Sequence, residues 1–230
     1  MSHVSRSIAV ILPALNEAEV IGAVLDAIPK VARAIVVDNG STDDTADRAR
    51  AHGAHVLREP NRGYGAAVLC GLAYLASDPP DVVVVLDADH AERPELLPDL
   101  VQPIFDGRAD CVFSDRSVIA EAASLTAPQR FGNLLATRII HRWTGVAFRD
   151  LGPFRALSWH AVEVLNLQDQ TWGFNVEMQL KAVERGLRVL ELPLPYRVRQ
   201  GGHSKISGTI SGTVRAGYKI LLTLARHRPW

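Results

Sequence analysis

Cysteine is scarce in this sequence, and the two cysteines that occur are far apart. Cys70 and Cys111 form neither a C-x-x-C motif nor the paired framework of a small secreted domain. This scarcity counts against a disulfide scaffold and fits a reducing compartment. We therefore expect both cysteines to fill space in the core.

Long apolar runs and an excess of one charge are also absent. No window holds 18 uninterrupted apolar residues, and the first seven residues lack the apolar segment of a signal peptide. Lys plus Arg number 25, as do Asp plus Glu, so the net charge is zero and bulk nucleic-acid binding is disfavoured. We expect a cytoplasmic protein without a nucleic-acid partner, in solution or peripheral at the cytoplasmic face of a membrane.

Two nucleotide-binding motifs are missing as well. There is no G-x-G-x-x-G after the first predicted strand, which counts against an NAD enzyme, and no G-x-x-x-x-G-K-[ST], which counts against a P-loop NTPase. The chain does have 230 residues, of which 47% are hydrophobic, and this is enough for a substantial core. We predict a single domain over residues 1–230.

The first half of the sequence alternates predicted strands with predicted helices. Strands are expected at residues 7–12, 34–37, 54–57, 81–86 and 109–114, and helices at 17–28, 42–52, 65–76 and 94–104. This alternation predicts an α/β fold with a mostly parallel central sheet, right-handed crossovers and helices on both faces. The second half is less regular, with helices predicted at 128–143, 176–185 and 207–226, a strand or bend at 152–157 and a strand at 187–194.

The most informative segment is a valine-rich run that ends in two carboxylates, Asp87 and Asp89. A run that is apolar at every position predicts a strand buried on both faces of a parallel sheet. The carboxyl ends of such strands are where open α/β sheets bind ligands. Two acids this close repel each other unless a cation lies between them, and Mg²⁺ or Mn²⁺ would also hold a diphosphate. The alternative is an acidic turn without a ligand.

Polar residues and glycines follow two other predicted strands. Asp38 ends the second strand, where its carboxylate could accept hydrogen bonds from a base or a ribose, and Ser41 or Thr42 is expected to cap the next helix. Further along, Gly63 and Gly65 allow a close approach of the backbone to a ligand, and the helix that begins there favours a phosphate at its N-terminus.

These segments together resemble the inverting enzymes of glycosyltransferase family 2, which have the GT-A fold, a Rossmann-like sandwich. The resemblance rests on residues 12–17, 37–43, 61–65 and 87–89, whose order and spacing match. Later segments are similar to the polyprenyl-phosphate branch of the family, at residues 114–116, 130–133, 149–155 and 201–205. We accordingly expect a nucleotide-sugar half at about 1–115, an acceptor half at about 116–205 and an amphipathic helix at about 206–230.

The resemblance implies a role for each matching residue. The donor nucleotide sugar would be bound by Pro13, Asn16, Glu17, Asp38, Gly63, Tyr64, Asp87, Ala88, Asp89, Arg199 and Lys205. Of these, Asp87 and Asp89 would hold Mg²⁺ or Mn²⁺, and Asp89 would also be catalytic. Arg116 and Arg130 would face an acceptor phosphate, which suits the arginine fork. Asp150 would be a general base or a group that positions the acceptor.

Two departures from the family pattern bear on these roles. Ala91 stands where relatives usually have a Gln that helps at the metal, so metal binding is weaker or His90 or Glu92 compensates. Residues 151–153 read Leu-Gly-Pro where Thr-Ser-Gly is usual, which leaves the acceptor open.

The sequence thus predicts a metal-dependent inverting glycosyltransferase that moves a hexose from a nucleoside diphosphate sugar, with a UDP-sugar such as UDP-glucose favoured, to a polyprenyl phosphate. The alternatives are transfer to a soluble or other lipid hydroxyl acceptor, and a non-catalytic protein that binds sugar nucleotides. The predicted helix at 207–226 places Arg215, Lys219 and Arg226 beside an apolar stripe, which would suit contact with an anionic membrane. Its alternative is packing on the core.

Overall fold

A computed structural model of the chain describes residues 6–119, 127–197 and 223, without the side chains of 127–129. The strands are β1 (Ile8–Ala14), β2 (Ala32–Asp38), β3 (His55–Arg58), β4 (Val82–Val85), β5 (Cys111–Asp115), β6 (Arg155–Ser158) and β7 (Val189–Pro193). The helices are α1 (Ile21–Ala27), α2 (Thr45–Ala51), α3 (Tyr64–Leu75), α4 (Leu97–Phe105), α5 (Ala127–Thr144), α6 (Trp159–Leu165) and α7 (Phe174–Glu184). A 3₁₀ turn, Pro94–Leu96, precedes α4.

The strands form one sheet in the order β3-β2-β1-β4-β6-β5-β7. All neighbours pair in parallel except β6, which runs antiparallel between β4 and β5. The predicted fold, a mostly parallel sheet with helices on both faces, is therefore confirmed. A strand or bend was expected at 152–157, but its antiparallel place inside the sheet was not predicted.

The valines of β4 show why its sequence is apolar at every position. Val83 and Val85 pack into a core on one face of the sheet, with residues of α3, α5 and α7. Val82 and Val84 pack into a second core on the other face, with residues of α1 and α4. Because both faces of the strand are covered, the run lacks the polar alternation of a half-exposed strand. Cys111, in β5, is buried as expected, whereas Cys70 is only half-buried in α3.

Two predicted helices begin later than expected because their first turns belong to loops that bind one another. The helix expected from residue 17 begins at Ile21, and the one expected from residue 42 begins at Thr45. The prediction that Ser41 or Thr42 caps α2 is wrong, since the N-cap is Asp44 and no side chain caps the helix there. The Ser41 hydroxyl instead accepts a hydrogen bond from the Asn16 N–H at 2.9 Å.

Helix α6 was not predicted, although its ends carry recognisable signals. Ser158 is its N-cap and accepts a hydrogen bond from the Ala161 N–H, and Asn166 ends it in the left-handed conformation at φ 43°. The helix predicted at 207–226 lies outside the described residues apart from Thr223. Within the described part of the chain, no helix is both long enough and apolar enough to cross a bilayer.

Candidate functional site

The loops after β1 and β2 lie side by side at the carboxyl edge of the sheet. Pro13 pairs with Val37 in the sheet, and Asn16 follows in the left-handed region at φ 53°. The Asn16 carboxamide oxygen accepts from the Thr42 N–H at 2.7 Å, and the Glu17 N–H donates to the Thr45 hydroxyl at 2.8 Å. These contacts hold the two loops together before any ligand is bound.

Asp38 ends β2 as a buried carboxylate within this loop pair. One of its oxygens accepts a hydrogen bond from the Ser41 N–H at 2.9 Å. Beside it lies a cavity of about 260 Å³, lined by Asp38, Ser41, Asp43, Ala46, Arg50, Val56, Leu57 and Arg58. The structure therefore places Asp38 at the wall of an open space rather than in the core.

Asn39 holds several loop segments together, although the sequence around it indicates only a turn. Its amide nitrogen donates to the carbonyls of Glu59 at 2.9 Å and Asn61 at 2.8 Å. Its carboxamide oxygen accepts from the Gly63 N–H at 2.8 Å. One buried side chain thus fixes the loop that leads into α3. The Asn-Gly pair indicated a turn, but it gave no sign of these partners.

Gly63, just before α3, and Gly65, within it, allow the backbone to lie close to the loop at residues 169–170. A Cβ on Gly63 or Gly65 would overlap the carbonyl oxygens of Gln170 and Asp169. The N–H groups of Gly65 and Ala66 donate to the carbonyls of Thr171 and Gln170, at 3.2 and 2.9 Å. Two of the first donors of α3 are therefore already used, and the phosphate expected at this helix end would have to rely on other groups.

The end of β4 is a compact acidic segment. Asp89 is buried, and one of its oxygens accepts from the Ala91 N–H at 3.0 Å. Glu92 is buried as well, and in the described residues neither of its carboxylate oxygens has a hydrogen-bond partner. Burial, followed by the charges of Asp89 and Asp87, raises the pKa of Glu92 well above its usual range. The segment thus gathers three carboxyl groups, those of Asp87, Asp89 and Glu92, where the sequence predicted a cation.

The chemistry of this segment fits a hard divalent cation, because its side chains offer oxygen atoms and an excess of negative charge. By themselves, however, the residues between 6 and 197 that the structure describes contain no cluster of three or more His, Cys, Asp or Glu side chains able to hold a metal. An ion bound at Asp87 and Asp89 would therefore need ligands from elsewhere.

Tyr64, at the start of α3, faces the same acidic segment. Its hydroxyl is buried and lies close to Asp87, without completing a hydrogen bond of normal geometry. Burial and the charge of Asp87 raise the pKa of Tyr64 well above its usual range. Tyr64 is therefore a neutral phenol against the first carboxylate of the D-x-D motif.

On the other side of the site, Arg116 and Asp150 form a buried ion pair. The Arg116 Nε and Nη2 atoms donate to the two Asp150 oxygens at 2.7 and 2.9 Å. The N–H groups of Arg116 and Leu151 donate to the same carboxylate at 3.0 and 2.8 Å. Burial alone would raise the pKa of Asp150, but the hydrogen bonds and charge of Arg116 outweigh it and lower that pKa.

The loop that carries Asp150 is also fixed from two other elements. Glu191 in β7 accepts hydrogen bonds from the Arg149 and Asp150 N–H groups at 3.0 and 3.2 Å. Asn133 in α5 accepts from the Leu151 N–H at 2.8 Å and donates to the Arg149 carbonyl at 3.0 Å. The acceptor-side loop is thus held by Arg116, which directly follows β5, by β7 and by α5.

Tyr196 lies close to both Arg116 and the acidic segment at the end of β4. The Arg116 guanidinium lies over its ring, 5.0 Å from the centroid. Burial raises the pKa of Tyr196, and the charges of Glu92, Asp89 and Asp87 act on it in the same direction while Arg116 opposes them. The structure therefore brings Asp87, Asp89 and Arg116 together.

Arg130 is exposed on α5, and Arg199 and Lys205 lie outside the described residues.

Comparisons with known proteins agree with this geometry. The model of glycosyl transferase family 2 matches residues 9–164. An uncharacterized glycosyltransferase of Mycobacterium tuberculosis is 40% identical over 91% of this chain and 94% of its own. A dolichyl-phosphate hexose transferase of Haloferax volcanii is 33% identical over 84% of each chain. The predicted family is therefore confirmed.

A solved structure supports the same conclusion. The glucosyl-3-phosphoglycerate synthase of M. tuberculosis, crystallised with Mn²⁺, UDP and glucosyl-3-phosphoglycerate, is similar with a TM-score of 0.75 and 27% identity, over 97% of this chain and 80% of that one. The same enzyme has been crystallised with Mg²⁺ and UDP. Family model, relatives and fold agree that this chain is a glycosyltransferase of the GT-A type, and it belongs to glycosyl transferase family 2.

Proposed function

We propose that the protein is a metal-dependent inverting glycosyltransferase that moves a hexose from a UDP-sugar to a polyprenyl phosphate. The observation that carries the proposal is the meeting of the acidic end of β4 with the Arg116–Asp150 pair at one edge of the sheet. Acidic oxygen groups suit the metal and diphosphate of a donor, whereas a guanidinium suits the phosphate of an acceptor. The sugar would then lie between the two sides.

On the donor side, Asp87 and Asp89 would hold Mg²⁺ or Mn²⁺, and Glu92, whose raised pKa favours the neutral acid, would add carboxyl oxygens beside them. Diphosphate oxygens would supply further ligands. The bound ion offsets the charge on the leaving nucleoside diphosphate. The similar glucosyl-3-phosphoglycerate synthase, which was crystallised with Mn²⁺ and UDP, supports a UDP-sugar and a metal.

The base and ribose would lie by the loops after β1 and β2. Pro13, Asn16 and Glu17 would line one side of the nucleotide, and Asp38 would accept its hydrogen bonds beside the 260 Å³ cavity. Gly63, Tyr64 and Ala88 would border the diphosphate and sugar. Arg199 and Lys205 would add positive charge near the phosphates.

On the acceptor side, the state of Asp150 favours a phosphate over a hydroxyl. A hydroxyl needs a general base, whose best pKa lies near the working pH. Asp150 has a lowered pKa and spends both oxygens on Arg116, so it suits a positioning role better than proton removal. A phosphate is already anionic and needs mainly positioning and charge neutralisation, which Arg116 and the exposed Arg130 would supply.

The surface of α5 supports a lipid acceptor. Phe131, Leu134 and Leu135, here called the α5 patch, are exposed by 67%, 47% and 37%. The helix contains no Asp or Glu and carries Arg130 and Arg138 among its basic residues. An apolar patch on an acid-free basic helix suits the surface of an anionic bilayer. Because Asn133 of the same helix holds the Asp150 loop, a lipid phosphate at that surface would lie near the site.

Two rivals remain for the function. The first is transfer to a soluble hydroxyl acceptor, which is favoured by similarity to an enzyme crystallised with phosphoglyceric acid. The second is a non-catalytic binder of sugar nucleotides, which only the replacement of the usual Gln by Ala91 favours.

A donor and acceptor screen tests these functions against one another. The full chain is incubated with a panel of nucleoside diphosphate sugars and Mg²⁺ or Mn²⁺, with polyprenyl phosphate in vesicles, with 3-phosphoglycerate, or with neither. We expect nucleoside diphosphate release and a hexosyl lipid only with the polyprenyl phosphate. Transfer to 3-phosphoglycerate alone would establish the first rival, and tight donor binding without turnover would establish the second.

A further inference from the structure

Arg155, the first residue of β6, is a cation with no exposed surface at the functional edge of the sheet. It pairs with Val85 of β4 on one side and Phe113 of β5 on the other. Val85 precedes Asp87 by two residues, so Arg155 lies level with the start of the acidic segment. Its guanidinium lies 4.7 Å from the centroid of the Phe113 ring.

The hydrogen bonds of Arg155 reach two segments of the site. Its Nε atom donates to the Gly152 carbonyl at 2.6 Å, in the loop that carries Asp150. Its Nη1 atom donates to the Asn175 carbonyl at 3.2 Å, in α7. The third nitrogen, Nη2, is buried and has no hydrogen-bond partner among the residues that the structure describes.

The packing beyond Arg155 reaches the donor side as well. Asn175, whose carbonyl accepts from Arg155, follows Phe174, and the Phe174 ring packs edge-on against Tyr64 with the ring centroids 6.1 Å apart. Tyr64 in turn faces Asp87. No salt bridge within 4.0 Å joins Arg155 to an acid in the described residues. A buried cation of this kind carries a desolvation cost, which its hydrogen bonds and the Phe113 ring offset here.

We propose that Arg155 is a positioning residue that couples the Tyr64–Asp87 side of the site to the Asp150–Gly152 loop. This inference rests on the proposed function and names a residue that serves it without contacting either substrate. Through Nε it fixes the Gly152 carbonyl, and thereby the backbone next to Asp150. Through Nη1 it fixes the Asn175 carbonyl, and thereby the start of α7, where Phe174 packs against the ring of Tyr64.

The geometry requires arginine rather than any cation. The planar fork of a guanidinium presents donors in fixed directions, so that one side chain bonds the Gly152 and Asn175 carbonyls at the same time. A lysine would keep the charge but would not make these bonds with the same fixed geometry. The charge and the fork can therefore be separated by substitution.

The test compares Arg155→Met, Arg155→Lys and the control Arg188→Met. Arg188 is exposed and pairs with Asp110 at the opposite edge of the sheet, so its loss removes an arginine without touching the site. Denaturant unfolding, kcat and the KM for each substrate are measured, together with hydrogen exchange of residues 62–66 and 149–153 in the ligand-free protein.

We expect kcat of Arg155→Met to fall roughly 10- to 100-fold, the loss that a small misplacement of reacting groups causes. Arg155→Lys should recover only part of kcat, the KM for the donor should change little, and both segments should exchange faster than in Arg188→Met. If Arg155→Met does not fold, the kcat and the hydrogen exchange of Arg155→Lys decide the test instead. Wild-type kcat and wild-type exchange in Arg155→Lys and in any folded Arg155→Met would overturn the proposal.

Hydrogen exchange also separates this proposal from the proposed function. If the wild-type chain transfers no hexose from any donor, the proposed function fails, while exchange still reports whether Arg155 couples the two segments. If the wild type is active and exchange in the variants is unchanged, the coupling fails and the function stands.

Discussion

The donor side and the acceptor side of the site are built from different interactions. On the donor side, Asn16, Asp38 and Asn39 bond backbone groups of neighbouring loops. On the acceptor side, a carboxylate and a guanidinium 34 residues apart hold each other in a buried pair. The Asn16 and Asn39 bonds shape the nucleotide cleft with uncharged side chains, whereas the ion pair fixes a charged group in one place. The difference suits a nucleotide on one side and a phosphate on the other.

The largest effect on stability should come from breaking the buried pair. Asp150→Asn leaves Arg116 buried without a counter-charge, which should lower the free energy of unfolding by about 3 kcal/mol. The matched control is Asp78→Asn, because the Arg33–Asp78 pair is exposed, by 48% and 81%. That pair should contribute less than about 1 kcal/mol. Urea unfolding of both variants checks the contrast, and equal losses would remove it.

The same variant makes a prediction about pH. Because the folded pKa of Asp150 is lowered from its ordinary value of 3.8, the carboxylate stabilises the fold above that value. This stabilisation should disappear as the pH falls through the folded pKa. The stability difference between wild type and Asp150→Asn should therefore be full near neutrality and shrink in acid. In turnover, the acidic limb of the pH–rate profile should survive in Asp150→Asn, whereas its loss would identify Asp150 as the base.

The next effect concerns the metal on the donor side. Asp89→Asn should lower the turnover rate by roughly a hundredfold or more, because a charge that stabilises the transition state is lost. Chelation should abolish wild-type turnover, and Mg²⁺ or Mn²⁺ should restore it. Asp99→Asn, an exposed position in α4, is the control and should retain wild-type rates. Full activity of Asp89→Asn in chelator would refute the metal assignment.

A smaller effect should come from Asn39, the uncharged side chain that holds the donor-side loops together. Asn39→Asp keeps the acceptor for the Gly63 N–H but loses both donors, so it should cost about 2 kcal/mol of stability and raise the KM for the donor. Asn133→Asp is its counterpart in α5 and should raise the KM for the acceptor instead. Steady-state kinetics with each substrate varied will check this. If both variants raised the KM for donor and acceptor equally, the two sides of the site would not be structurally independent.

The smallest effect on chemistry should come from the α5 patch. Changing Phe131 and Leu134 together to Ser should leave donor binding and the fold unchanged, since both side chains are exposed. It should weaken salt-sensitive binding to anionic vesicles and lower transfer to a vesicle-borne acceptor. Val31→Ser, also exposed, is the matched control. Sedimentation with vesicles at low salt measures the binding. Its absence in the wild type would favour a soluble acceptor.

The sequence was most informative where a feature depends on neighbours along the chain. The two-sided burial of β4 follows from its own valines, and the position of Asp87 and Asp89 follows from that strand. The starts of α1 and α2 were misjudged because Asn16, Glu17 and Thr42 give their N–H groups to the partner loop. Propensity along one segment cannot show that competition.

The ion pair of Asp150 and the role of Arg155 could not be predicted for a related reason. The partner of Asp150 lies 34 residues away, and the hydrogen bonds of Arg155 depend on an antiparallel insertion that its sequence does not specify. Arg155 lies inside residues 149–155, one of the segments that resemble the family, but a charged residue in a short motif is ordinarily expected at the surface. Its burial is the signal that only the fold provides.

The insertion of β6 has a consequence for synthesis of the chain on the ribosome. Strands β4 and β5 are not paired with each other, and both await residues 155–158, which emerge some forty residues after β5. Until then the nascent sheet ends at β4, whose four valines would present an open, uncharged hydrogen-bonding edge. Such edges invite pairing with other chains. We therefore expect nascent chains stalled before residue 155 to need a holding chaperone more than chains stalled after residue 165.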